Sequence, residues 1–418
     1  RHIDRAGALG LKVPKAEVER EAVAKFKTDV VNANVGGVKT LFKANGVEFV
    51  RGEASFVSPT EIEVKTDAGS ERIAAANIVI ATGSAPVDVK VWPRDGETIV
   101  NSDDAVCLAR IPKHLLVIGG GVIGLEFATV YHRLGADVLV VEMMPQILTG
   151  TDLEIGKTLG RILKKQGIEI MLNTKVGALE KQGKSVRATI TGEGTGGKDE
   201  TREFDMVLVA VGRRPVTDNL NLKAAGLATD ERGFVATDLQ QRTKVANIFA
   251  IGDVTGMPLL AHRAMKQGVV AAEVINGDRS AAFDPVSVPN AIYTDPEVAT
   301  VGLSEDEAKA AGYEVRIGKF PLAASGRART MNESEGLIKL VADAKTDLLL
   351  GMHIVAPQAE SLIGEGVIAL EMGATLEDIG LSIHPHPTLT EGIMDAAEAA
   401  HGKAIHIINP KPKTPVTA

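Results

Sequence analysis

Apolar residues recur at Val18, Ala22, Ala24, Val30, Val31, Val35, Val38 and Leu41, close to the helical period, and Gly46 follows them. The pattern predicts a helix over 18–41. Two alternating runs come next, Val47-Glu48-Phe49-Val50 and Glu61-Ile62-Glu63-Val64, and read as antiparallel strands. A continuous apolar strand at 77–80 then ends in Ala81-Thr82-Gly83-Ser84. Between about 112 and 237 the texture alternates. Strands at 115–118, 137–142 and 169–172 are separated by helices at 121–134 and 153–166, which means a parallel sheet with crossover helices. Further buried strands are read at 206–211 and 248–251. From about 283 the strands (290–293, 337–341, 348–355) mix with helices (305–311, 361–372, 391–401), as in a separate α+β domain. The proline-rich tail at 409–413 reads as a frayed end.

Composition narrows the function classes. The 418 residues are 44% hydrophobic and 24% charged, enough for two to four ordinary domains. Net charge is -8 with no Lys/Arg block, which argues against a nucleic-acid or anionic-membrane partner. No apolar run reaches the roughly 18 residues of a membrane span, and the start lacks a signal-peptide pattern. The single cysteine, Cys107, excludes an internal disulfide and reads as a small buried thiol. No metal-binding cluster is read.

The sharpest motif follows the strand at 115–118: Gly119, Gly120, Gly121, Val122, Ile123, Gly124. It ends a strand, opens a helix and precedes a second strand that ends in Glu142. Gly119 permits the tight turn, Gly121 lets a pyrophosphate approach the backbone, and Gly124 lets helix and sheet pack. The helix N-terminus offers unpaired N–H groups to phosphate. Glu142 is placed to accept hydrogen bonds from ribose hydroxyls and to repel a 2′-phosphate, so the site reads NAD rather than NADP. Glu126, read in the helix's first turn, either complements the helix dipole or faces the nicotinamide; the sequence leaves both open.

Six motifs stand in order: Thr82-Gly83-Ser84, Gly119 to Glu126, Val211-Gly212-Arg213-Arg214-Pro215, Ile251-Gly252-Asp253 with Leu259, Leu260, Ala261 and His262, Tyr293-Thr294-Asp295-Pro296-Glu297, and His384-Pro385-His386-Pro387 with Glu391. Together they resemble the class I pyridine nucleotide-disulfide oxidoreductases, and most closely their branch that oxidises protein-bound dihydrolipoamide. The resemblance covers about residues 10–408. It implies an α/β chain with two Rossmann-like dinucleotide-binding domains and a C-terminal α+β dimerisation domain. It implies FAD at Thr82, Gly83, Ser84, Asp253 and the stretch Leu259, Leu260, Ala261, His262. Ala54 stands where the family usually has a glycine at the flavin's adenine end. On the NAD side it implies Gly119, Gly120, Gly121, Val122, Ile123, Gly124, Leu125, Glu126, Glu142, Val176 and Gly212. His386 is implied as the acid–base, with Glu391 fixing its tautomer, and it acts across a homodimer interface. Glu391 also fits a capping box with Thr388, and both roles can hold. Pro385 replaces the family's usual alanine.

The family's opening FAD turn and its redox cysteine pair do not occur in this sequence, which begins at Arg1. The chain is therefore read as N-terminally truncated and inactive by itself, with the FAD domain discontinuous and incomplete. The domains are read as 1–111 (FAD, first part), 112–237 (NAD), 238–282 (FAD, second part) and 283–418 (dimerisation). Lipoyl domains of 2-oxo acid dehydrogenase complexes are the implied partners. The expected compartment is cytoplasmic, with the mitochondrial matrix as alternative. A soluble transhydrogenase-like flavoprotein and a non-catalytic NAD-binding subunit remain the rival readings.

Overall fold

The computed structural model describes residues 3, 6–14 and 16–409; most of the proline-rich tail, 410–413, lies outside them. The chain divides into two compact units, one of Glu19–Val87 with Gly212–Asp284, the other mainly of Asp88–Val211 with the chain from Pro285.

The first unit begins with helix α1 (Arg20–Ala44), which has no buried residue; Phe26 and Leu41 are among its exposed apolar side chains. Strands β1 (Glu53–Ser58), β2 (Glu61–Thr66) and β3 (Gly69–Ala74) form an antiparallel sheet. The strand expected at 47–50 is not there. Alternation alone does not make a strand, and the partner of β2 is β1, joined to it through Pro59-Thr60. Two short strands follow, β4 (Ile78–Ile80) and β5 (Ser84–Pro86).

The second unit carries β6 (Ile99–Val100), α2 (Ser102–Ala105), β7 (His114–Ile118), α3 (Val122–Arg133), β8 (Asp137–Val141), α4 (Leu153–Gln166) and β9 (Glu169–Met171). Three antiparallel strands interrupt the alternation, β10 (Thr174–Gln182), β11 (Ser185–Gly192) and β12 (Glu200–Phe204), before β13 (Met206–Val209). The parallel sheet has the order β6-β13-β7-β8-β9. Leu115, Leu116 and Val117 on β7 are fully buried, as expected for a central strand covered on both faces. Register sets Val209 beside Ile118 and Ile118 beside Val141. The loops carrying Gly119, Glu142 and Ala210 therefore leave the same edge.

The chain returns to the first unit with β14 (Arg213–Pro215), β15 (Ile248–Ala250) and α5 (Ala261–Ile275). β14 pairs with β5 and β15 runs parallel to β4. Residues 212–237 thus lie in the first unit, where the Val235 amide donates to Val254 O. Residues 88–111 lie in the second, because β6 pairs with β13.

The final stretch holds β16 (Asn290–Ile292), β17 (Glu297–Gly302), α6 (Glu305–Ala310), β18 (Val315–Pro321), α7 (Gly326–Thr330), β19 (Leu337–Asp343), β20 (Leu349–Ala356), α8 (Ala359–Glu371), α9 (Leu376–Leu381) and α10 (Glu391–Ala400). Its five-stranded antiparallel sheet has the order β16-β17-β20-β19-β18. Ile292, Val298, Leu337 and Val355 pack into the core that holds Leu115, Ile155 and Leu159. Cys107 is exposed rather than buried. It sits on the turn after α2, where Leu108 takes the inward position, and its Sγ lies 3.4 Å from Asp103 O.

Candidate nucleotide and acid–base sites

The glycines after β7 are explained by close approach. Gly119 has φ +109°, and a Cβ there would lie 2.5 Å from Ala210 O. A Cβ on Gly124 would lie 2.0 Å from Gly119 O, so only glycine lets α3 seat on the turn. The Cβ position of Gly121 faces open space. Gly121 is also the N-cap of α3 and offers no side-chain cap, which leaves the first amides, on Val122 and Ile123, to a ligand. Glu142 is half-buried. Its Oε2 accepts the Gly120 amide at 2.6 Å and its Oε1 the Met144 amide at 2.8 Å. Each oxygen keeps a lone pair for a ribose hydroxyl. The cradle and its acceptor therefore fit NAD.

Leu125 is fully buried under the helix. Val176 is buried with Ile118 and Val141, so its side chain belongs to the core at that sheet edge. Glu126 lies beyond the first turn of α3, which corrects the simple dipole reading. Its Oε1 accepts the Tyr293 amide at 2.8 Å, and burial pushes its carboxyl above the usual value against that hydrogen bond.

In the first unit, β4 and β15 run side by side, and the residues after them meet. Asp253 Oδ2 accepts the Ser84 hydroxyl at 2.6 Å. Arg213 donates from Nε to Ser84 Oγ at 2.8 Å and from Nη2 to Ser84 O at 2.7 Å. Thr82 Oγ1 donates to Val216 O, and the Val216 amide to Gly83 O. The Ser84 hydroxyl takes one oxygen of Asp253, and a carboxylate has further lone pairs with which to accept from a ligand polyol. Leu260 is the N-cap of α5, after Leu259, and its side chain makes no capping hydrogen bond to the first turn, which begins with Ala261 and His262. Gly212, with φ +130°, accepts the Val87 amide. Ala54 lies on β1, whose contacts run to Leu220 and Asn221 rather than to Ser84 or Asp253. These groups fit the polyol and ring portions of FAD. The glycines beside Thr82 and Asp253 are Gly83 and Gly252, and neither opens an α-helix of the kind that takes a pyrophosphate. Sequence reasoning missed Arg213; the signal was a cation at the end of a strand already singled out.

The structure joins His386 to Glu391. Nδ1 lies 2.7 Å from Oε1, with the imidazole 75% exposed and the carboxylate 16%. The other oxygen of Glu391 accepts the Thr388 amide at 2.7 Å. Only that arm of the expected capping box forms, because Thr388 Oγ1 donates to Pro385 O instead. Burial opposes ionisation of Glu391, but the Thr388 amide and the His386 ring outweigh it and hold the carboxyl below its usual value. His384 is separately engaged, with Nε2 2.8 Å from Glu365 Oε1.

A parallel dinucleotide sheet, a flavin-type Gly-Asp turn and a C-terminal domain carrying a histidine–carboxylate couple define a class of nucleotide-dependent oxidoreductase. Residues 7–268 match the pyridine nucleotide-disulphide oxidoreductases, and residues 288–397 match the dimerisation domain of that family. The chain belongs to this family of FAD- and NAD-dependent enzymes. It is 48% identical to the dihydrolipoyl dehydrogenase of Thermus scotoductus over 98% of this chain and 87% of that one. It is 44% identical to the dihydrolipoamide dehydrogenase of Chaetomium thermophilum over 95% and 79%. Among solved structures it is similar to LpdA from Mycobacterium tuberculosis (TM-score 0.86, 25% identity, 95% and 86% covered). It is also similar to the HOCl-induced flavoprotein disulfide reductase RclA of Escherichia coli (TM-score 0.81, 26% identity, 90% and 85% covered). No helix among the described residues is long and apolar enough to cross a membrane.

Proposed function

We propose that the protein acts as a dihydrolipoyl dehydrogenase, oxidising protein-bound dihydrolipoamide to lipoamide and reducing NAD. The observation that carries this reading is the 2.7 Å bond between His386 and Glu391. With Nδ1–H donated to Glu391, Nε2 is the atom left to accept a thiol proton, and the carboxylate stabilises the imidazolium that results. The reaction releases two electrons and two protons from the dithiol; the nicotinamide takes a hydride and one proton leaves. FAD, when bound, supplies the two-electron relay between them. Ser84, Asp253 and the Leu260 to His262 backbone would hold FAD, and Gly119 to Gly124 with Glu142 would hold NAD. The 418 residues contain one cysteine, so the redox pair is not supplied by them.

Function is assigned to regions as read from sequence: NAD to 112–237, FAD to 1–111 and 238–282, and dimerisation to 283–418, with 88–111 and 212–237 exchanged between units as described. In a homodimer His386 serves the other subunit's site. Lipoyl domains are the proposed partners. Cytoplasm is the proposed compartment, with the mitochondrial matrix as alternative, since a curated relative from Pisum sativum is mitochondrial. A transhydrogenase-like activity would leave the His386–Glu391 bond without a purpose.

The test uses a form of the enzyme that carries a redox-cysteine pair. His386→Ala lowers dithiol oxidation by at least ~100-fold, the usual contribution of a general base. NADH oxidation by an artificial acceptor needs no thiol deprotonation and falls much less. Equal losses in both assays would make His386 structural and sink the proposal.

A further inference from the structure

Helix α10 carries a second acid one turn beyond Glu391. Asp395 is 1% exposed, and among the described residues the side chain that meets its carboxylate is a histidine from the segment after the helix. His406 Nδ1 lies 3.2 Å from Oδ1 and 3.0 Å from Oδ2. That segment folds back as a strap. The Ala404 amide donates to Asn409 Oδ1 and Asn409 Nδ2 to Ala404 O, and Ile407 packs on the core of the C-terminal domain. Residues four apart on a helix share a face, about 5–6 Å between Cβ atoms. Two histidine–carboxylate couples therefore stand in series, His386–Glu391 and His406–Asp395.

We infer that Asp395 and His406 are positioning residues for the acid–base pair: they fix the charge behind Glu391 and, through it, the proton affinity of His386. The inference rests on the reading of His386 as the acid–base. Among the charges that act on Glu391, His386 and His406 both favour its ionised form. Other charged groups on the elements packed against α10 are committed elsewhere. On β18, Arg316 goes to Asp347 and Lys319 to Glu154; on β19, Lys339 goes to Asp152 and Asp343 to Thr346. On α9, Asp378 binds Thr375 and Glu377 is exposed. On α10 itself Glu398 is not so committed: it lies against Gly380 with Oε2 buried and no hydrogen-bond partner among the described residues, while His401 just beyond it goes to Asp347.

The sign of the coupling is testable. Asp395→Asn removes a negative charge and makes His386 harder to protonate. His406→Gln keeps a donor for Asp395 but removes the ring that carries the positive charge, and makes His386 easier to protonate. Ring-labelled histidine NMR on the 418-residue chain reads this without turnover or cofactor, with His386 assigned from a His386→Gln spectrum. The His386 midpoint moves down in Asp395→Asn and up in His406→Gln, each by at least ~0.3 pH unit, as expected for one partly screened charge at this range. His384, held by Glu365, serves as the unmoved control. His406→Lys keeps a positive charge and leaves the His386 midpoint near that of the unsubstituted protein, so the charge is tested even where another variant fails to fold. Unmoved midpoints, or midpoints that move the same way in both variants, would reduce the strap to a clamp. These shifts are independent of the dithiol assay, so either proposal can fail without the other.

Discussion

At the scale of single residues, Glu142 is the side chain that we propose decides which nucleotide the cradle accepts. Its two oxygens are pinned by the Gly120 and Met144 amides, so the carboxylate cannot swing away from an incoming ribose. Its neighbours Met143, Met144 and Pro145 offer no cation for a phosphate. The protein therefore binds NADH more tightly than NADPH, and Glu142→Arg narrows or inverts the preference. The lost hydrogen bonds to a charged acceptor correspond to roughly 1.5–3 kcal/mol, about ten- to a hundredfold in NADH affinity. Equilibrium binding of the two reduced nucleotides, followed by their fluorescence, measures this. Equal affinity in the unsubstituted protein would refute the role given to Glu142. This residue was legible because strand, turn, helix and acid are close in sequence. Arg213 was not, since its partner Ser84 is 129 residues away. His386 became legible through family resemblance rather than through its own surroundings, because a histidine between prolines has no local signature of chemistry.

At the scale of elements, the N-terminus of α4 is tied to the C-terminal sheet by a buried ionic cluster. Asp152 caps α4 by accepting the Glu154 amide, and Lys339 on β19 reaches it at 2.9 Å with its side chain 3% exposed. Glu305 accepts from the same ammonium at 2.8 Å. Burial works against both charges, but the pairing wins: Asp152 is held below its usual value and Lys339 above. Lys339→Met keeps the bulk and strands Asp152, so it destabilises by roughly 3–5 kcal/mol. A depressed acid adds stability above its unfolded pKa, which is lost as pH falls through the folded one. In the variant burial is opposed by the Glu154 and Glu305 amides but no longer by the ammonium, so the Asp152 pKa rises and acidification relieves the stranded charge. Urea unfolding at pH 7 and pH 5 therefore shows a smaller deficit at pH 5. A deficit that is constant with pH would mean lost packing rather than lost charge. No sequence pattern reveals this link, because its partners are 187 residues apart. The sheet β10-β11-β12 escaped for another reason: its first strand is largely exposed and mixes polar and apolar residues without clean alternation. Cys107 was misread because small thiols are usually buried and the turn after α2 reverses that preference.

At the scale of the whole molecule, the two units are unequally provided for. The dinucleotide sheet has five parallel strands and a core of fully buried residues that continues into the C-terminal domain. In the other unit β4 and β15 form a two-stranded sheet, the far side of β15 meets 241–243 through the Arg242–Phe249 bridge, Val79 on β4 is 41% exposed, and no residue of α1 is buried. Among the described residues no strand pairs with the far side of β4, and such an edge invites association with other chains. The residues proposed for FAD there would hold the polyol and ring ends of the cofactor rather than its pyrophosphate, and the single exposed Cys107 cannot form an intramolecular disulfide. The purified 418-residue chain is therefore expected to be colourless after desalting, to give no turnover of dihydrolipoamide with NAD, and to retain weak NAD binding through the Gly119 cradle. Absorbance in the visible flavin band, a dihydrolipoamide assay and an NADH titration on one sample separate the units. A yellow, active protein would show that FAD is held and the dithiol oxidised by groups other than those assigned. A colourless protein that also fails to bind NADH would show that the dinucleotide unit depends on more than its own core.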